Sequence, residues 1–267
     1  VGHHFHHMEA GSGLIPSQDQ SCALLKFSVI RLGAGERLDG TMEGAREGLL
    51  VILSGKCRME VAETDLGVIG ERANVFSGLP HSVYLPRGTT YSICAETAME
   101  AALPTAPSDL DTEPYVIAPE EVNTGRWGTL NYTRHFREIL VAPNGLPAAS
   151  LIVGETITPS GNWSTYPPHK HETDNGAEKM HEEIYYFRVS SPDSFGIIQH
   201  YSPVQGYDHM HRVVDDTMIA MPHGYHTYVG APGAQSYYLW ALAGPDRVQG
   251  ASFDPKLGWV QKTVSMI

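Results

Sequence analysis

Two histidines one residue apart, His169 and His171, followed by Glu183 and His226, are the residues whose types and spacing best suit chemistry. On a strand, alternate residues share a face, so both imidazoles of the His-x-His pair point the same way. Glu183 leads a stretch in which Tyr185 and Phe187 keep its phase. A third segment, MPHGYH, uses Pro222 and Gly224 for a tight turn and then presents His226. Three neutral imidazoles and one carboxylate suit one borderline divalent ion: Zn, Mn, Fe, Co or Ni. Such a set leaves room for water or substrate on a five- or six-coordinate ion and closes a four-coordinate zinc.

Several neighbours compete for these roles. Glu182 stands beside Glu183, and only strand phase with Tyr185 and Phe187 favours the latter. His181 lies on the same face as Glu183. His209-x-His211 is a second pair of the same spacing, but it follows a turn-like QGYD and precedes Asp215 and Asp216, so it reads as a solvated loop. His223 sits inside the turn and should face solvent. His3, His4, His6 and His7 fall in a glycine-flanked terminal stretch, residues 1–13, expected to be a disordered tail or tag remnant outside the site.

The elements that must hold these residues are short strands punctuated by Gly and Pro. Alternating or continuous apolar runs cover 24–32, 48–61, 82–85, 91–95, 150–158, 183–189, 197–201, 217–221 and 236–242, a spacing that predicts an all-β sandwich or barrel. Residues 118–123 are the one modest helix candidate, with Pro119 for a first turn and Glu120 and Glu121 for its positive end. They fall in the polar join between two halves, residues 104–132. Pro86-x-Gly88 and Pro222-x-Gly224 are 136 residues apart, and the same offset sets Glu47, Leu49, Val51 and Leu53 opposite Glu183, Tyr185, Phe187 and Val189. Duplication follows, with the same face inward in both. Thr90 then stands where His226 does, so the first half should carry no metal.

The 267 residues are 42% hydrophobic, enough for a sizeable core, and the net charge of −12 argues against nucleic acid or an anionic membrane as partner. Three scattered cysteines point to a reducing compartment. The N-terminal residues have no signal-like apolar core, and no run of about 18 apolar residues occurs. A cytoplasmic protein is the expectation.

PPHKH, EEIYYF and PHGYH together resemble the two motifs of the cupin barrel. More narrowly, GETITPSGNWSTYPPHKHETDN, EEIYYFRV, MPHGYHTYVGAPG and YYLWALAGP resemble the bacterial 5-deoxy-glucuronate isomerases of inositol catabolism, densely over 151–245 and more loosely through LLVILSGKC and PHSVYLPRG in the first half. The resemblance implies two tandem cupin barrels, at 14–117 and within 118–267, with metal only in the second. It implies an aldose–ketose isomerisation of 5-deoxy-D-glucuronate to 5-dehydro-2-deoxy-D-gluconate, with His169, His171, Glu183 and His226 as ligands. A proton must then leave one carbon and return to its neighbour. Glu155, on the strand leading to the histidine pair, and Tyr185 are the candidate catalytic groups, because a metal-bound Glu183 would be a poor base. The substrate carboxylate needs a cation: Arg134, in a family-like TRHFREIL, and Arg188 are preferred over Lys170 and Arg212. A sugar-acid substrate and a homo-oligomer are the expected partners. The competing activities are a 5-keto-4-deoxyuronate ketol-isomerase of pectin breakdown and a cupin dioxygenase using Fe(II) in the same ligand set.

Overall fold

The computed structural model describes residues 4–264. The first half contributes β1 (Phe5–His7), β2 (Gly13–Pro16), β3 (Lys26–Leu32), β4 (Arg37–Thr41), β5 (Arg46–Ser54), β6 (Cys57–Val61), β7 (Thr64–Ile69), β8 (Ser82–Leu85), β9 (Thr90–Ala95), β10 (Met99–Pro107) and β11 (Tyr115–Ile117). The second contributes β12 (Asn123–Trp127), β13 (Arg134–Leu140), β14 (Leu151–Thr158), β15 (Trp163–Lys170), β16 (Glu182–Val189), β17 (Gly196–Ser202), β18 (Tyr207–Val213), β19 (Thr217–Met221), β20 (Tyr225–Gly230), β21 (Ser236–Ala243) and β22 (Ser252–Phe253).

REGLLVILS in β5 is buried along both faces up to its last residue, which requires cover from two sides. Leu50 and Ile52 pack inward with Met59 and Ile93, between the sheet β11-β8-β5-β10-β3-β2 and the smaller sheet β4-β9-β6-β7. Leu49 and Val51 face the opposite way, onto Ile184, Tyr186 and Leu239 of the second half. There the sheet β1-β19-β16-β21-β14-β13-β12 faces β18-β17-β20-β15-β22, with Tyr185, Phe187, Ile198 and Tyr228 between them. The protein is thus all-β and four layers thick, its two large sheets back to back.

Three expectations change. Residues 4–16 are ordered: Phe5–His7 pairs with β19 in the second half's large sheet, and Gly13–Pro16 pairs with β3. Pairing and the burial of Met8 and Ile15 outweigh the local glycines that suggested disorder. His3 lies outside the described residues. Residues 118–123 form only the 3-10 turn Pro119–Glu121, because Asn123 is already drawn into β12 beside β13.

The third change concerns the duplication. Leu85 and Met221 each precede a Pro-x-Gly turn; Leu85 lies opposite Gly48, and Met221 lies opposite Glu183. The equivalence on this strand is therefore 135 residues, not 136. Glu47 corresponds to Glu182, and Gly48 to Glu183. Both Glu47 and Glu182 turn away from the space between the two sheets of their own half. Glu47 accepts the backbone N–H groups of Ala149, Ser150 and Leu151, while Glu182 accepts those of Ala23, Leu24 and Leu25. Each half clamps the chain entering a large-sheet strand of the other half, β14 in one case and β3 in the other.

Candidate metal centre

The first candidate donor, His169, depends on an irregular strand. Thr165 has φ 58, a left-handed conformation unfavourable for a β-branched residue, and the pairing of β15 with β20 shifts between Ser164 and His169. Beyond this shift His169 lies opposite His226. His171 follows the end of β15, and its Nδ1 donates to the His181 carbonyl at 2.7 Å. In the neutral ring that donation leaves the Nε2 lone pair bare, the usual arrangement of a ligating imidazole.

Nε2 of His171 lies 2.9 Å from Glu183 Oε2, and Nε2 of His226 lies 3.0 Å from the same oxygen. One donor atom from each of His169, His171, Glu183 and His226 falls within 4.8 Å of all the others. His226 is fully buried and its Nε2 has no hydrogen-bond partner, so a cation among the four would satisfy an otherwise orphaned atom. The donor set fits a divalent ion.

Electrostatics favour the same reading at His169, His226 and Glu183. Burial, reinforced by neighbouring His226 and His171, pushes His169 well below the usual imidazole range. Burial also lowers His226 despite Glu183. His171 moves upward: burial opposes protonation, but the Glu183 carboxylate overrides it. Burial would raise Glu183, yet the adjoining imidazoles of His171 and His226 hold it far below the ordinary carboxylate value.

His169, His171 and Glu183 open on a cavity of about 380 Å³, with His226 buried behind them. Tyr185 lines it, with its ring 5.5 Å from that of His226, and burial holds its phenol well above the usual value. Arg134 lines it too, its guanidinium 5.0 Å above the Trp127 ring. Trp127, Phe136, Glu138, His181 and Trp240 complete much of the wall. Apart from His181, the sequence reading missed these. Strand alternation from Arg134 would have found Phe136 and Glu138, since the three share one face of β13.

Other candidates are elsewhere. Glu155 is fully buried on the opposite face of β14, in the seam between halves, with Arg72 at 2.5 Å, Arg137 at 3.1 Å and Tyr237 at 2.8 Å. Its pKa is lowered because the two arginines outweigh burial, so it is an ion-pair carboxylate and not a base for the cavity. Arg188 also points into the seam, bonding Glu100 and Asp215 at 2.5 and 3.0 Å, and cannot serve the cavity. Both were assigned from proximity in sequence, which ignores the side each strand position faces. Lys170 bonds Glu172 and Glu178, and Arg212 lies over Phe195. His209 and His211 belong to β18, not to a loop, because pairing with β17 captures them; His211 stacks on Phe5 at 4.8 Å.

Comparison with known proteins agrees with this architecture. The model of the KduI/IolB family matches residues 4–260. The 5-deoxy-glucuronate isomerase of Geobacillus kaustophilus is 35% identical over 239 residues, 89% of this chain and 86% of that protein. The 5-deoxy-glucuronate isomerase of Lacticaseibacillus casei is 31% identical over 267 residues, covering 97% of each. The crystal structure of an IolB-like protein from Salmonella typhimurium LT2 superposes with a TM-score of 0.91 at 30% identity, covering 96% of this chain and 98% of that one. Oxalate decarboxylase of Bacillus subtilis shares the cupin-type fold alone, with a TM-score of 0.60 at 13% identity, over 97% of this chain and 81% of that one. Matched from end to end of its ordered strands, the chain belongs to the KduI/IolB family.

Proposed function

We propose that this protein is a metal-dependent aldose–ketose isomerase that converts 5-deoxy-D-glucuronate to 5-dehydro-2-deoxy-D-gluconate in myo-inositol catabolism. The observation that carries the reading is the four-donor cluster opening on a cavity whose lining includes the cation Arg134. Relatives sharing about a third of the sequence over most of its length carry that activity in their names.

His169, His171, Glu183 and His226 would hold one divalent ion, with Zn, Mn, Fe, Co and Ni all suited to the donors. When bound, the ion supplies Lewis acidity at the sugar's carbonyl and hydroxyl oxygens. Arg134, held against Trp127, offers a planar guanidinium for the substrate carboxylate. Tyr185 stays a neutral phenol because burial disfavours its anion, so it can hold a proton beside the reacting carbons as charge shifts from C1 to C2. The aromatic walls exclude water from the exchange. The protein acts in the cytoplasm as a homo-oligomer in this reading; among the described residues no helix is long and apolar enough to cross a membrane.

The test is turnover of 5-deoxy-glucuronate before and after chelation, with 5-keto-4-deoxyuronate assayed alongside. Metal-dependent isomerisation of the first substrate is expected. Full activity in rigorously metal-free protein, or preference for the second substrate, would overturn the reading.

A further inference from the structure

The outer wall of the cavity has a feature that the metal centre does not explain. Along β13, Arg134, Phe136 and Glu138 alternate toward the cavity, with Phe136 directly opposite Gly125 of β12. A Cβ on Gly125 would come 2.3 Å from Phe136 Cζ, so the ring occupies the space that any other residue's side chain would need. The same device recurs across the sheet, where a Cβ on Gly154 would come 2.1 Å from Trp240 Cζ2. Two glycines thus keep two aromatic rings low against the sheet, one of them beside the guanidinium that faces the cavity.

We propose that Phe136, seated over Gly125, is a specificity-determining residue that receives the deoxygenated carbon of the substrate and discriminates against the uronate that carries a hydroxyl there. The inference rests on the isomerase reading. A carboxylate on Arg134 leaves the adjacent carbon, one bond away, next to the neighbouring position on the same strand face. Same-face positions are about 6.7 Å apart along a strand, a gap that a guanidinium and a phenyl ring together bridge. In 5-deoxy-glucuronate that adjacent carbon is a methylene, which suits a ring face. A hydroxyl there loses water and gains no comparable partner from the ring.

The experiment compares binding of 5-deoxy-glucuronate and glucuronate to metal-free protein, followed through the fluorescence of Trp127 and Trp240 in the cavity wall. The wild type is expected to prefer the deoxy sugar acid by roughly 10- to 100-fold, the range an apolar surface gives against an added hydroxyl. Phe136→Asn should bring that ratio below about 3-fold, chiefly by improving glucuronate binding. Gly125→Ala, which leaves the ring chemistry intact but lifts it, should reduce the ratio in the same sense. Arg134→Gln should weaken both ligands and preserve the ratio. Phe136 is only half-buried and lies outside the apolar cores, so the variants are expected to fold. A ratio unchanged in both Phe136→Asn and Gly125→Ala overturns the inference, as does equal weakening of both ligands. A metal-loaded wild type that binds the deoxy acid but never isomerises it refutes the isomerase reading instead.

Discussion

At the scale of residues, the four donors differ in what each contributes. His226 is fully enclosed and shares Glu183 with His171, so replacing it removes a donor that solvent cannot substitute. His226→Ala should lower metal affinity by at least about a hundredfold, seen as loss of bound metal in purified protein, whereas His209→Ala should leave metal content unchanged. Arg134→Gln tests substrate capture separately. Losing a charge-assisted pair worth about 1.5–3 kcal/mol should raise KM roughly 10- to 100-fold with little change in kcat. The clustering of the four donors was legible in the sequence because three short motifs each carry their own phase or turn signal. The carboxylate contacts were less so. Arg188 and Glu155 stand on the same chain segments as true cavity residues but on the reverse faces, and only register across the sheet reveals that.

Elements show how position is enforced. Glu47 and Glu182 each accept three consecutive backbone N–H groups from the other half, so either Ala variant leaves a cluster of donors without its partner. Glu47→Ala and Glu182→Ala should each destabilise by about 2–4 kcal/mol in denaturant unfolding, independent of metal. The segment between His171 and Glu183 is organised by Glu178, which accepts from Lys170, Glu172 N–H and Thr173 N–H. Burial would raise its pKa, but these bonds and one with Ser252 bring it down to about 2. Because the folded value lies below the usual 4.5, its stabilisation is complete above about pH 4.5 and is lost as pH falls from there through about 2. Glu178→Gln should therefore flatten the acid limb of the stability profile in that window. The strands themselves were readable from alternation, since the apolar runs follow the buried layers. The one-residue change in repeat offset was not, because Glu47 and Glu183 match in type while the pairing partners that decide their equivalence are distant in sequence.

For the whole molecule, the governing fact is that the two large sheets share one apolar seam, crossed by the buried Arg72–Glu155 pair. Removing Glu155 leaves the buried Arg72 charge without a counter-ion, and removing Arg72 leaves the buried Glu155 with only the weaker support of Arg137 and Tyr237. Arg72→Met or Glu155→Gln should each cost about 3–5 kcal/mol, while Arg72→Met with Glu155→Leu should recover much of the loss in a double-mutant cycle. Sequence alone suggested two similar halves and did not show that they lean on each other this closely, because the seam is made of residues that look like ordinary barrel interior. The pairing of Phe5–His7 with β19 carries this dependence into biosynthesis. Residues 5–7 have to wait for residues 217–221 before they can pair, so this edge of the sheet closes only after the more than 200 residues between them have been made. A polypeptide made from the second half alone would expose that edge of β19 to its neighbours, and the two halves expressed as separate chains should recover a closed sheet only when mixed.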